Sequence, residues 1–311
     1  MIKKENTAKR TRLDRKFDKI RNAEESGKLK HRKLNRTLRK LLNNRLAIAG
    51  IIIFSIILLA CVFGPFLCKY KPNDPDLRNM TQSPSLEHWF GTDKLGRDVF
   101  TRTLYGGRMS ILIGLGSALG AAFIGVLLGC YGGYKGGKFD KIVLRLSEVF
   151  MSFPQLILVI MLGSIFGRSL LNLIIIFILT GWGGVYRQAR AKMLSIREEE
   201  YIQAMRAFGL SDIIVAYKHM LPNAIGPIVV NLTLSTAMFI LDEAAMSFLG
   251  LGVPPEIPTW GNILNAAQDL FVMQNYWWLW LPVGIVVSLF VISVNSIGDG
   301  IRDTTDPAQQ G

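Results

Sequence analysis

The chain has 311 residues, half of them hydrophobic, and a formal net charge of +13 at pH 7. Residues 1–45 contain 17 Lys and Arg against 5 Asp and Glu, so this segment carries nearly all of the excess charge. A nucleic-acid-binding role would require a folded reading domain, and residues 1–45 show almost no apolar periodicity. Beside a membrane span, such a segment is typical of a cytoplasmic arm near anionic lipid, so we predict no nucleic-acid partner.

Six uncharged apolar runs follow the basic segment. Each run approaches the ~20 residues that cross a hydrocarbon layer of ~30 Å as a helix. Only Arg168 separates the third run from the fourth. The sequence therefore predicts an all-α integral membrane protein with six transmembrane helices, at residues 46–67, 109–131, 149–167, 169–186, 223–241 and 276–297.

The distribution of Lys and Arg predicts the orientation of these helices. With residues 1–45 in the cytoplasm, the segments on the inner side carry 28 of the 36 Lys and Arg. Seven of the remaining eight lie in the first outer loop, at residues 68–108. The positive-inside rule therefore predicts that both termini are cytoplasmic.

These features divide the chain into four predicted parts. Residues 1–45 form a basic cytoplasmic tail, and residues 46–108 form the first transmembrane helix with an extracytoplasmic loop. Residues 109–301 form a core with five transmembrane helices, and residues 302–311 form a cytoplasmic tail.

The second span is rich in glycine at spacings of four residues. Small residues at this spacing let helix backbones approach closely in lipid. We predict that they pack the span against another helix of the same chain, in preference to a second copy. The residues are Gly116, Gly120, Gly125 and Gly129.

The turn after the second span is similar to the start of a phosphate-binding P-loop, at residues 132–138. A P-loop continues with Ser or Thr and follows a strand, whereas this turn continues with Phe139 and follows a membrane helix. We therefore predict a tight cytoplasmic turn and no nucleotide-binding site in this chain.

A polar insert at residues 187–222 separates the fourth and fifth spans. Ala204 and Ala207 keep one helix face slim, and Gly209 can adopt the left-handed conformation that ends a helix. A second short helix is expected to run toward Leu221 and to stop at Pro222. This arrangement of a narrow helix, a Gly turn and a second helix is suited to insertion into a cleft of another protein. A plain amphipathic connector between two spans fits the same pattern.

Polar residues within the last two spans are candidates for a translocation path, because polar groups in a bilayer usually face protein or water. Glu243 could contact a peptide amino terminus, and a hydrogen bond between helices is the alternative that we favour. We predict no metal site and no catalytic site, since no His or Cys residues stand at ligand spacing and no nucleophile is paired with a base. The path candidates are Asn231, Ser235, Glu243 and Asn295.

The insert resembles the EAA loop of bacterial ABC-importer permeases, with Gln203, Ala204, Met205 and Gly209 at the family's spacing. Gln203 replaces the family's acid and Met205 replaces a small Ala, so a salt bridge to the ATPase is not expected. Residues 45–307 also resemble the C-type permease of the oligopeptide/dipeptide branch, through motifs at 90–98, 105–108, 152–154, 247–252, 260–261 and 298–307.

This resemblance implies a type I permease fold with a cytoplasmic coupling helix, in the bacterial cytoplasmic membrane. It also implies a B-type permease partner and two ATPase subunits that bind ATP and magnesium. An extracytoplasmic peptide-binding protein and a peptide cargo are implied as well. No cofactor is expected in this chain. The residues that the resemblance assigns to ATPase coupling are Gln203, Ala204, Met205, Ala207, Gly209, Leu210, Leu221 and Pro222.

Two alternatives stay open on the sequence. A permease for nickel or another small solute would share the same motifs. An ion-coupled secondary transporter would favour charged residues in several spans. Such charges occur only at the outer end of the fifth span, at Asp242 and Glu243, and the cytoplasmic insert would then have no purpose.

Overall fold

The computed structural model describes Leu41 and residues 44–305, and these residues form helices and loops with a single isolated β-bridge between Thr92 and Asp98. The all-α class is therefore confirmed. Three short 3-10 turns lie at Leu77–Asn79, Asn265–Gln268 and Trp277–Leu279. The α-helices are α1 (Arg45–Leu67), α2 (Val99–Lys135), α3 (Gly137–Met151), α4 (Gln155–Phe166), α5 (Leu170–Arg197), α6 (Glu200–Ala207), α7 (Leu221–Phe248), α8 (Trp260–Leu264), α9 (Leu270–Asn275) and α10 (Leu281–Thr305).

Five helical segments among the described residues are long and apolar enough to cross a membrane. The third predicted span, residues 149–167, is not one helix, because α3 and α4 meet there at an angle of 90°. Pro154 restricts the residue before it to extended conformations, which ends α3. The count is therefore five spans, or six if the bent pair forms one. The five are Arg45–Leu67, Val99–Lys135, Leu170–Arg197, Ile214–Phe248 and Trp277–Thr304.

Hydrogen bonds to one buried carboxylate hold α3 against α5. The carboxylate of Asp140 on α3 accepts hydrogen bonds from Arg190 Nε and Nη2 on α5, both at 2.6 Å. The Tyr186 hydroxyl donates to the same carboxylate at 2.8 Å. Such a paired and hydrogen-bonded carboxylate holds α3 across α5. On the exposed side of α3, Arg145 and Glu148 form an ion pair at 2.8 Å.

Helix α2 starts ten residues before the predicted span and includes two arginines. Asp98 caps it by accepting a hydrogen bond from the Thr101 amide at 2.6 Å. Arg102 donates to the Pro72 carbonyl at 2.9 Å, and Arg108 donates to the Cys61 carbonyl at 2.9 Å. The prediction stopped at 109 because it excluded charged residues, whereas the fold satisfies both guanidinium groups with backbone oxygens.

Glycines pack α2 directly against α5. A Cβ added to Gly129 would lie 2.7 Å from the Tyr186 carbonyl oxygen and 2.8 Å from Ala189 Cβ. Gly120 and Gly125 face α5 in the same way, whereas a Cβ on Gly116 would meet no atom within 4 Å. The predicted packing within the chain is therefore confirmed for Gly120, Gly125 and Gly129, and it is wrong for Gly116.

The segment between α7 and α10 turns back into the helical core. Trp260 is fully buried, its indole Nε1 donates to the Thr103 carbonyl at 3.0 Å, and its ring meets the edge of Phe290. Helix α8 and the 3-10 turn after it form the buried part of this segment. On the outside of this segment, Lys94 lies 2.9 Å from Asp269 and holds the pKa of that carboxyl below its usual range through a hydrogen bond.

Candidate functional site

The polar insert has the helix, Gly turn and further helix that the sequence predicts. Helix α6 ends at Ala207, and Gly209 adopts the left-handed conformation with φ of 74°. The Leu210 amide donates back to the Met205 carbonyl at 3.3 Å, and the Gly209 amide donates to the Arg206 carbonyl at 3.0 Å. These bonds satisfy carbonyl groups that the end of a helix leaves unpaired.

The prediction that the second helix ends at Leu221 and Pro222 is wrong. Residues Ile214–Met220 form a π-helix that continues without a break into α7, so that Ile214–Phe248 is one helical segment. Pro222 is the second residue of α7, and the helical segment passes through it without a break. The insert is therefore joined rigidly to the membrane span that follows it.

One side of the insert is anchored in the core. Ile202, Val215 and Met220 are fully buried in a cluster that also contains Cys130 of α2 and Met193 of α5. This burial removes large apolar side chains from water, which contributes about 1.5–3 kcal/mol for each.

Polar contacts add to this anchor at the ends of two spans. The Tyr217 hydroxyl donates to the Leu127 carbonyl of α2 at 2.7 Å, and Asn223 Nδ2 of α7 donates to the Tyr201 hydroxyl at 2.9 Å. Lys135, the last residue of α2, lies 3.3 Å from Asp212 of the insert. The insert therefore contacts the ends of α2, α5 and α7, so a displacement of one is transmitted to the others.

The other side of the insert is exposed. Most of the predicted coupling residues lie there: Met205 and Leu221 are half-buried, and the exposed ones are Gln203, Ala204, Ala207, Gly209, Leu210 and Pro222. Two neighbouring apolar side chains were missed, Phe208 at 84% exposure and Ile213 at 62%. The sequence does contain a signal for Phe208, because it is a large apolar residue directly before the glycine of the turn.

The four path candidates do not share one face. Asn231 and Ser235 are half-buried neighbours on α7, with Ser235 Oγ donating to Asn231 Oδ1 at 3.2 Å. At 3.6 residues per turn, Asp242 lies about 20° from Asn231 around α7, whereas Glu243 lies about 120° away. Asn295 is half-buried on α10.

Glu243 is fully buried between α7, α2 and the segment that contains α8. Its carboxylate accepts hydrogen bonds from Ser110 at 3.0 Å and from Ser247 at 2.8 Å. The Ser110 hydroxyl also accepts a hydrogen bond from the Trp260 amide at 3.1 Å. The helix-to-helix hydrogen bond considered for Glu243 is present.

This geometry predicts a structural role for Glu243. We expect Glu243→Ala to lower the thermal unfolding midpoint of the purified protein in detergent, because it leaves Ser110 and Ser247 without their acceptor, at a cost of about 1–3 kcal/mol. Glu243→Gln is the matched control, since its amide can still bond both hydroxyls, and we expect a midpoint close to that of the unaltered protein. A Gln variant that is fully stable but inactive in transport would contradict this assignment.

The chain matches two family models. Residues 121–309 match the family model of the inner membrane component of binding-protein-dependent transport systems. Residues 34–84 match the model of the N-terminal transmembrane domain of oligopeptide transport permease C.

Several bacterial proteins are similar along most of their length. A protein of Brucella suis biovar 1, provisionally named a peptide permease, is 41% identical over 88% of this chain and 90% of its own. The dipeptide transport permease DppC of Bacillus subtilis is 39% identical over 86% of this chain and 84% of its own. OppC, the oligopeptide transport permease of the same organism, is 38% identical over 85% of this chain and 86% of its own. The chain therefore belongs to the inner membrane permease family of binding-protein-dependent transport systems, in the branch of oligopeptide permease C.

Proposed function

We propose that this chain is one of the two membrane-spanning subunits of an ATP-driven importer of oligopeptides or dipeptides. The observation that carries the proposal is the insert, which is anchored on three spans and leaves a small apolar surface exposed beside Gly209. The peptide and dipeptide permeases named among its relatives support the choice of cargo.

The exposed surface of the insert is the proposed contact with an ATPase subunit. Phe208 and Ile213 supply apolar side chains that enter a cleft, and the small Ala204 and Ala207 let the α6 backbone approach the partner. Gln203 is neutral, so position 203 itself supplies no salt bridge to the ATPase. The complete set of coupling residues is the one expected from the sequence, with Phe208 and Ile213 added.

The remaining partners complete the importer. A homologous B-type permease forms the other half of the path, and two ATPase subunits bind ATP and magnesium. An extracytoplasmic binding protein delivers the peptide. Both termini lie in the cytoplasm, in keeping with the 28 Lys and Arg of the predicted inner segments.

The test is purification of the tagged chain in mild detergent, followed by identification of the chains that come with it. We expect a second permease and ATPase chains, and ATP-dependent uptake of a labelled dipeptide when this complex and its binding protein are placed in liposomes. A chain that purifies alone and transports under an ion gradient would overturn the proposal. A complex that carries a nickel chelate but no peptide would correct the cargo.

A further inference from the structure

The carboxylate of Asp242 occupies a different environment from that of its neighbour Glu243. Asp242 is half-buried, and its Oδ2 accepts a hydrogen bond from Gln155 Nε2 at 3.0 Å. The described part of the chain gives it no charged partner. A carboxylate within a span is costly when it faces lipid, so its open side must meet water or another protein.

The face of α7 around Asp242 is suited to a path through the membrane. Asn231, Ser235 and Asp242 lie within about 40° of one another around the helix, on a polar stripe that also passes Met238. Met238 is 56% exposed, and Met161 on the neighbouring α4 is 52% exposed. Flexible methionine side chains adapt to varied apolar contacts. The stripe therefore combines one carboxyl group, that of Asp242, with an adaptable apolar wall.

Every peptide with a free amino terminus carries an ammonium group at neutral pH, whatever its side chains. We propose that Asp242, oriented by Gln155, is the residue on the translocation path that binds the ammonium group of the peptide amino terminus. This inference rests on the proposed function, and it names the substrate group that the path contacts. Glu243 cannot serve in this way, because both of its oxygens are bonded within the core.

The first test asks whether position 242 faces an aqueous path. In the complete transport complex, with Cys61, Cys68 and Cys130 replaced by Ala, Asp242→Cys is treated with a membrane-impermeant methanethiosulfonate reagent. Thr236→Cys is the matched control, since Thr236 lies about 120° from Asp242 around α7 and is 6% exposed. We expect modification at position 242 to be at least tenfold faster than at position 236. Equal rates would overturn the placement on the path.

The second test detects the ammonium contact directly. During dipeptide uptake by the otherwise unaltered complex, a carbodiimide is added and the chain is analysed by mass spectrometry. The Asp242 carboxyl adds to the carbodiimide to form an O-acylisourea. The deprotonated peptide amine attacks its acyl carbon, a urea leaves, and an amide bond joins Asp242 to the peptide. We expect this adduct at Asp242, with none at Glu243 and none when the dipeptide is acetylated or when Asp242→Asn is used.

The outcomes separate this inference from the proposed function. A complex that imports the dipeptide but gives no adduct at Asp242 would overturn the inference alone. A complex that imports no peptide would overturn the proposed cargo, and with it the ammonium contact, while the cysteine test would still decide whether Asp242 faces the path.

Discussion

Replacing Gly209 by valine is expected to abolish ATP-dependent uptake while leaving the chain in the membrane at its normal level. Gly209 has φ of 74°, and a Cβ there would meet no atom within 4 Å. The cost therefore comes from the backbone: the left-handed conformation costs an L-residue about 1–2 kcal/mol, and a β-branched residue adopts it least readily. Relief of this strain would turn α6 away from the helix that follows and would change the exposed surface.

Gly209→Asn is the matched control, because asparagine tolerates the left-handed conformation better than other side chains of its size. We expect Gly209→Asn to retain most of the uptake. The measurements are dipeptide uptake, the amount of chain in the membrane, and the amount of ATPase that purifies with it. Normal uptake by the valine variant would contradict the role given to this turn.

Replacing Gly129 by valine is expected to destabilise the folded chain strongly. The first carbon of the new side chain would lie 2.7 Å from the Tyr186 carbonyl oxygen and 2.8 Å from Ala189 Cβ, so α2 and α5 would have to separate. Overpacking of a well-packed interior costs about 1–3 kcal/mol, and a contact with backbone leaves little room for relaxation. We expect a strongly reduced amount of chain in the membrane and a lower thermal unfolding midpoint in detergent.

Gly116→Val provides the comparison on the same helix. Gly116 has no neighbour within 4 Å of an added Cβ, so the folded chain should tolerate valine there. The same membrane level and midpoint for both variants would show that close packing of α2 on α5 does not limit stability. A loss confined to Gly116→Val would mean that its face contacts another subunit.

The local features of the insert could be predicted from the sequence because they depend on neighbouring residues. The turn at Gly209 follows from a single glycine after a helical segment, and the long apolar runs fix the all-α class. Gly116 was grouped wrongly with Gly120, Gly125 and Gly129 because spacing alone does not tell which face of α2 meets α5.

The features that the sequence did not predict depend on distant contacts. The packing of α3 against α5 is held by Asp140 and Arg190, which are 50 residues apart. The sequence predicts that the second helix of the insert ends at Pro222, because the π-helix before this proline has no clear signal in the sequence. The different surroundings of Asp242 and Glu243 are set by Gln155 and Ser110, and the sequence does not bring either of them near α7.

The unbroken helix Ile214–Phe248 can act as a lever arm. Its 35 residues span about 52 Å, so a tilt of about 5° around the end that carries the insert would move the other end by about 4–5 Å. Such a displacement exceeds the length of the hydrogen bonds that join Glu243 to Ser110 and Ser110 to Trp260. A tilt that preserves these hydrogen bonds must therefore move α2 and α8 together with α7. The three helices would then rotate as one rigid unit.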